Sequence, residues 1–260
     1  MSNFTAVSPP DEVTEFPVPP TERGPQQGTG ITVPIDRTER ASAGDPPWQP
    51  RRGHRYRGRR LVAKRLLDVV FAGVLLVALA PLLIVLFLGV RASSPGPGLF
   101  RQERIGRNGR PFTILKFRSM HADAERRLVE DPDLRRRYLN GGYKLPLDAD
   151  PRITKLGGFL RRTSFDELPQ LWNVLKGEMS LVGPRPVLRE ELSEYGRYVG
   201  AYLVAWPGLT GPWQVAGRDA VRFPLRGRFD ADYVDDWSLV ADIKILLRTI
   251  PSAIRARGVQ

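Results

Sequence analysis

Residues 69–90 read VVFAGVLLVALAPLLIVLFLGV, twenty-two residues without a charge, interrupted by Pro81 just past the middle. Sixteen of the 22 are Val, Leu, Ile or Phe, and at roughly −0.3 to −0.6 kcal/mol each their partitioning into lipid totals about −5 to −10 kcal/mol. A proline inside a helix costs about 3 kcal/mol, so Pro81 bends the segment without keeping it out of a bilayer. Length alone fits a helix that crosses. The flanks point elsewhere. Arg51, Arg52, Arg55, Arg57, Arg59, Arg60, Lys64 and Arg65 precede the run, and Arg91, Arg101, Arg104, Arg107, Arg110, Lys116 and Arg118 follow it. Basic residues mark the cytoplasmic end of a span, and here both ends carry the mark. A helix pair that enters, breaks at Pro81 and returns to the same face satisfies both, because proline removes a backbone hydrogen bond and clashes with the preceding turn. The residues alone leave the crossing helix and the re-entrant pair both open. Asp68, at the entry edge, stands one turn from Lys64 and Arg65 as an ion-pair partner.

The remaining composition narrows the class. The chain of 260 residues has room for one domain and a tail. It holds no Cys, which excludes disulfides and thiolate metal sites. The net charge of +12 suits anionic lipid or a polyanionic substrate. No nucleic-acid partner is expected, since no binding motif or aromatic-interleaved basic stripe accompanies the charge. The Pro-rich start cannot bury a core, so residues 1–60 are expected to be a disordered tail ending in the basic approach. Residues 61–92 are then the membrane element and 93–260 a cytoplasmic catalytic domain.

Within that domain, Leu99–Ile105 and Pro111–Phe117 flank Asn108-Gly109, which predicts a β-hairpin rather than a phosphate cradle. Residues 122–139 read as one highly charged helix, 141–150 as a mobile loop, and 188–204 as a helix. The stretch 206–218 reads as a glycine-rich loop. Helices are expected over 229–234 and 238–250, the last an amphipathic element that packs on the core or lies in a membrane interface. The fold class is α+β and mainly helical, with a membrane element bent at Pro81.

The chemistry centres on Ser164-Phe165-Asp166-Glu167. Ser164 and Glu167 have capping-box spacing, so a helix is expected from about Ser164 to Lys176. Asp166 would then sit in a first helical turn, which favours an ionised carboxylate and nearby phosphate. An ionised carboxylate can attack phosphorus to give an acyl phosphate, and Glu167 can hold Mg²⁺ against phosphate oxygens. Attack on a diphosphate demands counter-charge, for which Lys116, Arg161, Arg162, Arg185 and Arg218 are the candidates.

With those residues in place, the chain from about Lys64 to Ile250 resembles the bacterial sugar transferases, the monotopic phosphoglycosyl transferases that act on polyprenyl phosphate. The matching pieces are Lys64-Arg65-x-x-Asp68, KFRSM at 116–120, DPRIT at 150–154, LRRTSFDELPQLWNVLKGEMSLVGPRP at 160–186 and PGLTGPWQVAGR at 207–218. The resemblance implies a re-entrant helix bent at Pro81 and a catalytic domain with interfacial amphipathic helices on the cytoplasmic face of the inner membrane. It implies transfer of a sugar 1-phosphate from a UDP-sugar to undecaprenyl phosphate with release of UMP, the first step of an exopolysaccharide or envelope glycan. Asp166 is the implied nucleophile and Glu167 the implied Mg²⁺ ligand; Lys116, Arg161, Arg185 and Arg218 belong to the implied substrate-binding set. A homo-oligomer is left open. The chain departs from many members in carrying Ala80, not Ser, before the membrane proline. A lipid phosphatase and a non-enzymatic membrane-anchored scaffold are the alternatives.

Overall fold

The computed structural model describes residues 46–51, 56, 58–140, 145–217, 221 and 223–255, with the side chains of 250–255 excepted. Most of the expected tail, residues 1–45, lies outside these, as do residues 141–144 of the expected mobile loop. The approach to the membrane element is not all tail, however. Tyr56 is 1% exposed, in the core beside Trp237, and Trp48 donates from its backbone to Arg197 O and from its indole to Asp235.

Helix α1 (Arg59–Ser93) contains the apolar run and Pro81. It is two limbs, Arg59–Ala78 and Ala80–Ser93, meeting at 65°. The break falls just before Pro81 because the ring clashes with the carbonyl four residues back and leaves it without its N–H partner. No single helix among the described residues is long and apolar enough to cross a membrane; the bent pair passes that test only together. Each limb has its own seat. The first packs Leu61 and Ala72 into a core with Leu171, Val174, Val182, Val234 and Trp237. The second packs Leu86 and Val90 with Phe117 and Leu160. Outward, Val70, Val74, Val77, Val85 and Leu88 stay exposed, Val77 at 78%.

The Lys64-x-x-x-Asp68 spacing proves to be a lock. Lys64 is 1% exposed and its ammonium lies 2.7 Å from Asp242 and 3.0 Å from Val182 O. Its distance to Asp68 is 4.0 Å, so Asp242, far along the chain, is the closer partner. Tyr233 and Trp237 also donate to Asp242, while Asp68 accepts from Leu181 N–H. Arg65 caps carbonyls at Leu175 and Met179.

The hairpin forms as expected. Strands β1 (Leu99–Ile105) and β2 (Pro111–Phe117) pair antiparallel from Leu99↔Phe117 to Ile105↔Pro111, with Asn108 (φ 58°) and Gly109 (φ 74°) supplying the left-handed turn. The charged helix does not. It is split into α2 (Ala124–Glu130) and α3 (Pro132–Asn140). Pro132 pushes Asp131 out of the helical region, and the Asp131 carboxylate then caps the N–H groups of Asp133 and Leu134.

Helix α4 (Lys155–Thr163) follows, N-capped by the Thr154 hydroxyl. The expected helix from Ser164 to Lys176 is corrected: Ser164 is the left-handed C-cap of α4 (φ 60°, ψ 18°), and its side chain caps nothing. Residues Phe165–Glu167 form a 3₁₀ turn, and α5 (Gln170–Lys176) starts only after Pro169. The 188–204 stretch is a 3₁₀ run, Glu190–Tyr198, broken at Gly196 and followed by α6 (Val199–Val204). The expected glycine-rich loop holds a strand and a helix. Strand β4 (Gly208–Thr210) pairs parallel with β3 (Ser180–Val182), and α7 (Pro212–Ala216) follows it. Helices α8 (Leu225–Asp235) and α9 (Leu239–Arg255) close the described chain. Helix α9 seats Asp242 inward and leaves Val240, Ile243 and Leu247 exposed.

Candidate active site

Four segments of the chain meet at one cleft. Strands β1 and β2 contribute Arg104, Ile114 and Lys116; the two-residue spacing of Ile114 and Lys116 and the pairing of Arg104 with Phe112 put all three on one face of the hairpin. The 3₁₀ turn and α5 contribute Glu167 and Gln170; the segment after β3 contributes Arg185 and Pro186; β4 and α7 contribute Gly208, Leu209 and Gln214.

Glu167 is the electrostatic centre of the cleft. Its Oε1 lies 2.7 Å from Lys116 Nζ and 3.8 Å from Arg185 Nη1. Asp166, half-buried on the same turn, is pushed up to about 6, first by desolvation and then by the charge of Glu167, with Lys116 and Arg161 pulling the other way. Arg161 donates to Ser119 Oγ at 2.8 Å. That contact depends on a close approach of α4 to Ser119: a Cβ on Gly157 would lie 1.9 Å from Ser119 O, so only glycine fits. Behind it, Arg152 holds Asp150 in a bidentate pair at 2.8 Å, and these bonds outweigh burial to keep Asp150 below the usual carboxylate range.

The sequence candidates therefore separate. Lys116 and Arg185 converge on Glu167, and the charge of Arg161 acts on Asp166. Arg162 turns away to Asp148 at 3.2 Å, largely exposed. Arg218 lies outside the described residues. The helix-terminus setting expected for Asp166 is replaced by the 3₁₀ turn; lysine and arginine, not a helix dipole, oppose its burial. Sequence reasoning missed Arg104, Gln170 and Gln214. For Arg104 a signal was present, since its alternation with Gln102 on β1 and its register with Phe112 put it on the face that carries Lys116.

The match of residues 59–256 to the bacterial sugar transferase family model now bears on this cleft. The chain belongs to the bacterial sugar transferase family. It is 46% identical over 199 residues to a UDP-galactose-lipid carrier transferase of Erwinia amylovora, covering 75% of this chain and 41% of that one. It is 43% identical over 201 residues to the exopolysaccharide production protein ExoY of Sinorhizobium fredii, covering 76% and 88%. A UDP-glucose:undecaprenyl-phosphate glucose-1-phosphate transferase of Caulobacter vibrioides is 43% identical over 200 residues, covering 74% and 69%. The chain thus spans about two fifths of the Erwinia relative. A Haemophilus influenzae sugar transferase, 44% identical, is matched over 42% of its length.

Among the described residues no three His, Cys, Asp or Glu side chains gather to hold a metal unaided. The adjacent carboxylates of Asp166 and Glu167 nevertheless suit Mg²⁺, which takes one or two carboxylates and completes its shell with water and substrate phosphate.

Proposed function

We propose that this sugar transferase moves a sugar 1-phosphate from a UDP-sugar onto polyprenyl phosphate through a covalent aspartyl intermediate. The observation that carries the reading is one carboxylate, Asp166, next to a second, Glu167, that is drawn to Lys116 and Arg185 at the edge of a cationic cleft. In the first half, an Asp166 oxygen attacks the phosphorus bearing the sugar, and the bond to the bridging oxygen breaks, so that UMP leaves with the electron pair. In the second, an oxygen of the lipid phosphate attacks the same phosphorus and Asp166 departs as carboxylate. The product is a polyprenyl diphosphate sugar.

The chain's own groups supply three things. Lys116, Arg185 and Arg104 offset the charge of the diphosphate and of the departing UMP. Arg161, oriented by Ser119, favours the ionised form of Asp166. Mg²⁺, held by Glu167 with Asp166 beside it, would neutralise phosphate charge when bound. The bent α1, exposing apolar side chains on both limbs, is read as entering and leaving one face of the inner membrane, with α9 and its exposed Val240, Ile243 and Leu247 in the interface. That sets Asp166 where a lipid-borne phosphate reaches it from the cytoplasmic side. The names of the Erwinia, Sinorhizobium and Caulobacter relatives support the substrate pair and a role in exopolysaccharide assembly.

The test is UMP release from a panel of UDP-sugars by the purified protein in nanodiscs. The reading expects catalytic UMP with polyprenyl phosphate present and at most one equivalent per enzyme without it. Continuous release of sugar phosphate without the lipid identifies a phosphatase instead, and no UDP-sugar binding at all identifies a scaffold.

A further inference from the structure

Two carboxamides in the cleft have no partner for a buried polar atom. Gln170 is 2% exposed, and its Nε2 donates to no group among the described residues. Gln214, which lines the same cleft, has a buried Oε1 that accepts from no group among the described residues. Burying an amide atom without a hydrogen bond is unfavourable, and buried polar atoms are paired as a rule. These two share a lining with three cations and one carboxylate. Their chemistry is opposite: one offers a donor, the other an acceptor.

We propose that Gln170 and Gln214 are substrate-contacting residues that divide a nucleoside diphosphate between them, an assignment that rests on the UDP-sugar reading above. Gln170 donates from Nε2 to a diphosphate oxygen. It lies three residues after Glu167 and lines the cleft with Lys116 and Arg185, the cations that flank that carboxylate. The orphaned Oε1 of Gln214 cannot bond phosphate, whose oxygens are acceptors as it is. It accepts instead from a donor on the nucleoside half, the imide N–H of the base or a ribose hydroxyl. It enters the cleft from α7, alongside Gly208 and Leu209 of β4.

The experiment is calorimetric titration of the full chain in nanodiscs and Mg²⁺ buffer with UDP, and competition of pyrophosphate against UDP. Gln170→Met and Gln214→Met keep side-chain length and remove the hydrogen bond. Gln170→Met is expected to weaken UDP and pyrophosphate alike, each about fivefold or more. Gln214→Met is expected to weaken UDP by a similar factor and leave pyrophosphate unchanged. Both should melt at or above the wild-type temperature without ligand, since each loses an unpaired buried group. Should either methionine variant not fold, Gln170→Glu, which offers no donor and repels the diphosphate, and Gln214→Leu, which offers no acceptor, replace it, with the same UDP loss expected. Wild-type affinity for UDP in both variants overturns the assignment while leaving the transferase reading intact. Equal loss of pyrophosphate in Gln214→Met overturns the division, and lowered melting temperatures in both make the amides structural. A wild-type protein that does not bind UDP removes the underlying reading itself.

Discussion

Asp166 is caught between burial and Glu167, which favour its proton, and Lys116 and Arg161, which remove it. The balance places it at about 6 in the free protein, so near neutral pH it is ionised and able to attack. Because only the carboxylate is a nucleophile, kcat/KM for the UDP-sugar should fall about tenfold per pH unit below roughly pH 6. Glu167→Gln, which removes the repelling charge, should shift that limb to lower pH; a limb that stays put assigns it to another group. The dyad and Lys116, Arg161 and Arg185 were legible because charge clusters beside turn residues stand out in a sequence. Gln170 and Gln214 were not. An amide carries no charge, and what marks these two is a missing partner, which only three-dimensional packing reveals. Ser164 misled for a related reason: the spacing of a capping box is also the spacing of a helix that ends in a left-handed serine and restarts as a 3₁₀ turn.

At the scale of elements, the hairpin and the bend of the apolar helix at Pro81 were readable from Asn108-Gly109 and from residues 69–90, both strong local signals. The β3–β4 pair was not, since it joins two three-residue strands across a long crossover, and no local pattern announces so short a parallel pairing. Nor was the partner of Lys64. The sequence suggested Asp68 one turn away, but Asp242 on α9 lies closer and draws α1 and α8 onto one buried carboxylate, while Val182 O of β3 accepts from the same Lys64. Removing one side of a buried pair strands the other, at about 3–5 kcal/mol. Lys64→Met should therefore destabilise the protein by that order, measured by denaturant unfolding in detergent. Lys64→Met with Asp242→Leu should recover part of the loss. A single variant as stable as wild type would show that the lock contributes nothing.

At the largest scale the described residues offer, one bent apolar helix, α1, packs along a single compact unit. Its two limbs pack on different core clusters of the same unit, and both leave apolar residues outward. A chain without cysteine can be labelled at single introduced sites without background. Cysteines at the exposed positions Arg59, the first residue of α1, and Arg101, beyond its end, should both react with an impermeant maleimide from the cytoplasmic face of oriented vesicles. Reaction from opposite faces would make α1 a crossing helix. The most direct test of the chemistry needs no lipid acceptor. Wild-type protein incubated with its UDP-sugar and then digested should yield one peptide heavier by a sugar phosphate at Asp166, with an equivalent of UMP released and neither seen in Asp166→Asn. Turnover by the Asp166→Asn protein, or the added mass on another residue, would contradict the account.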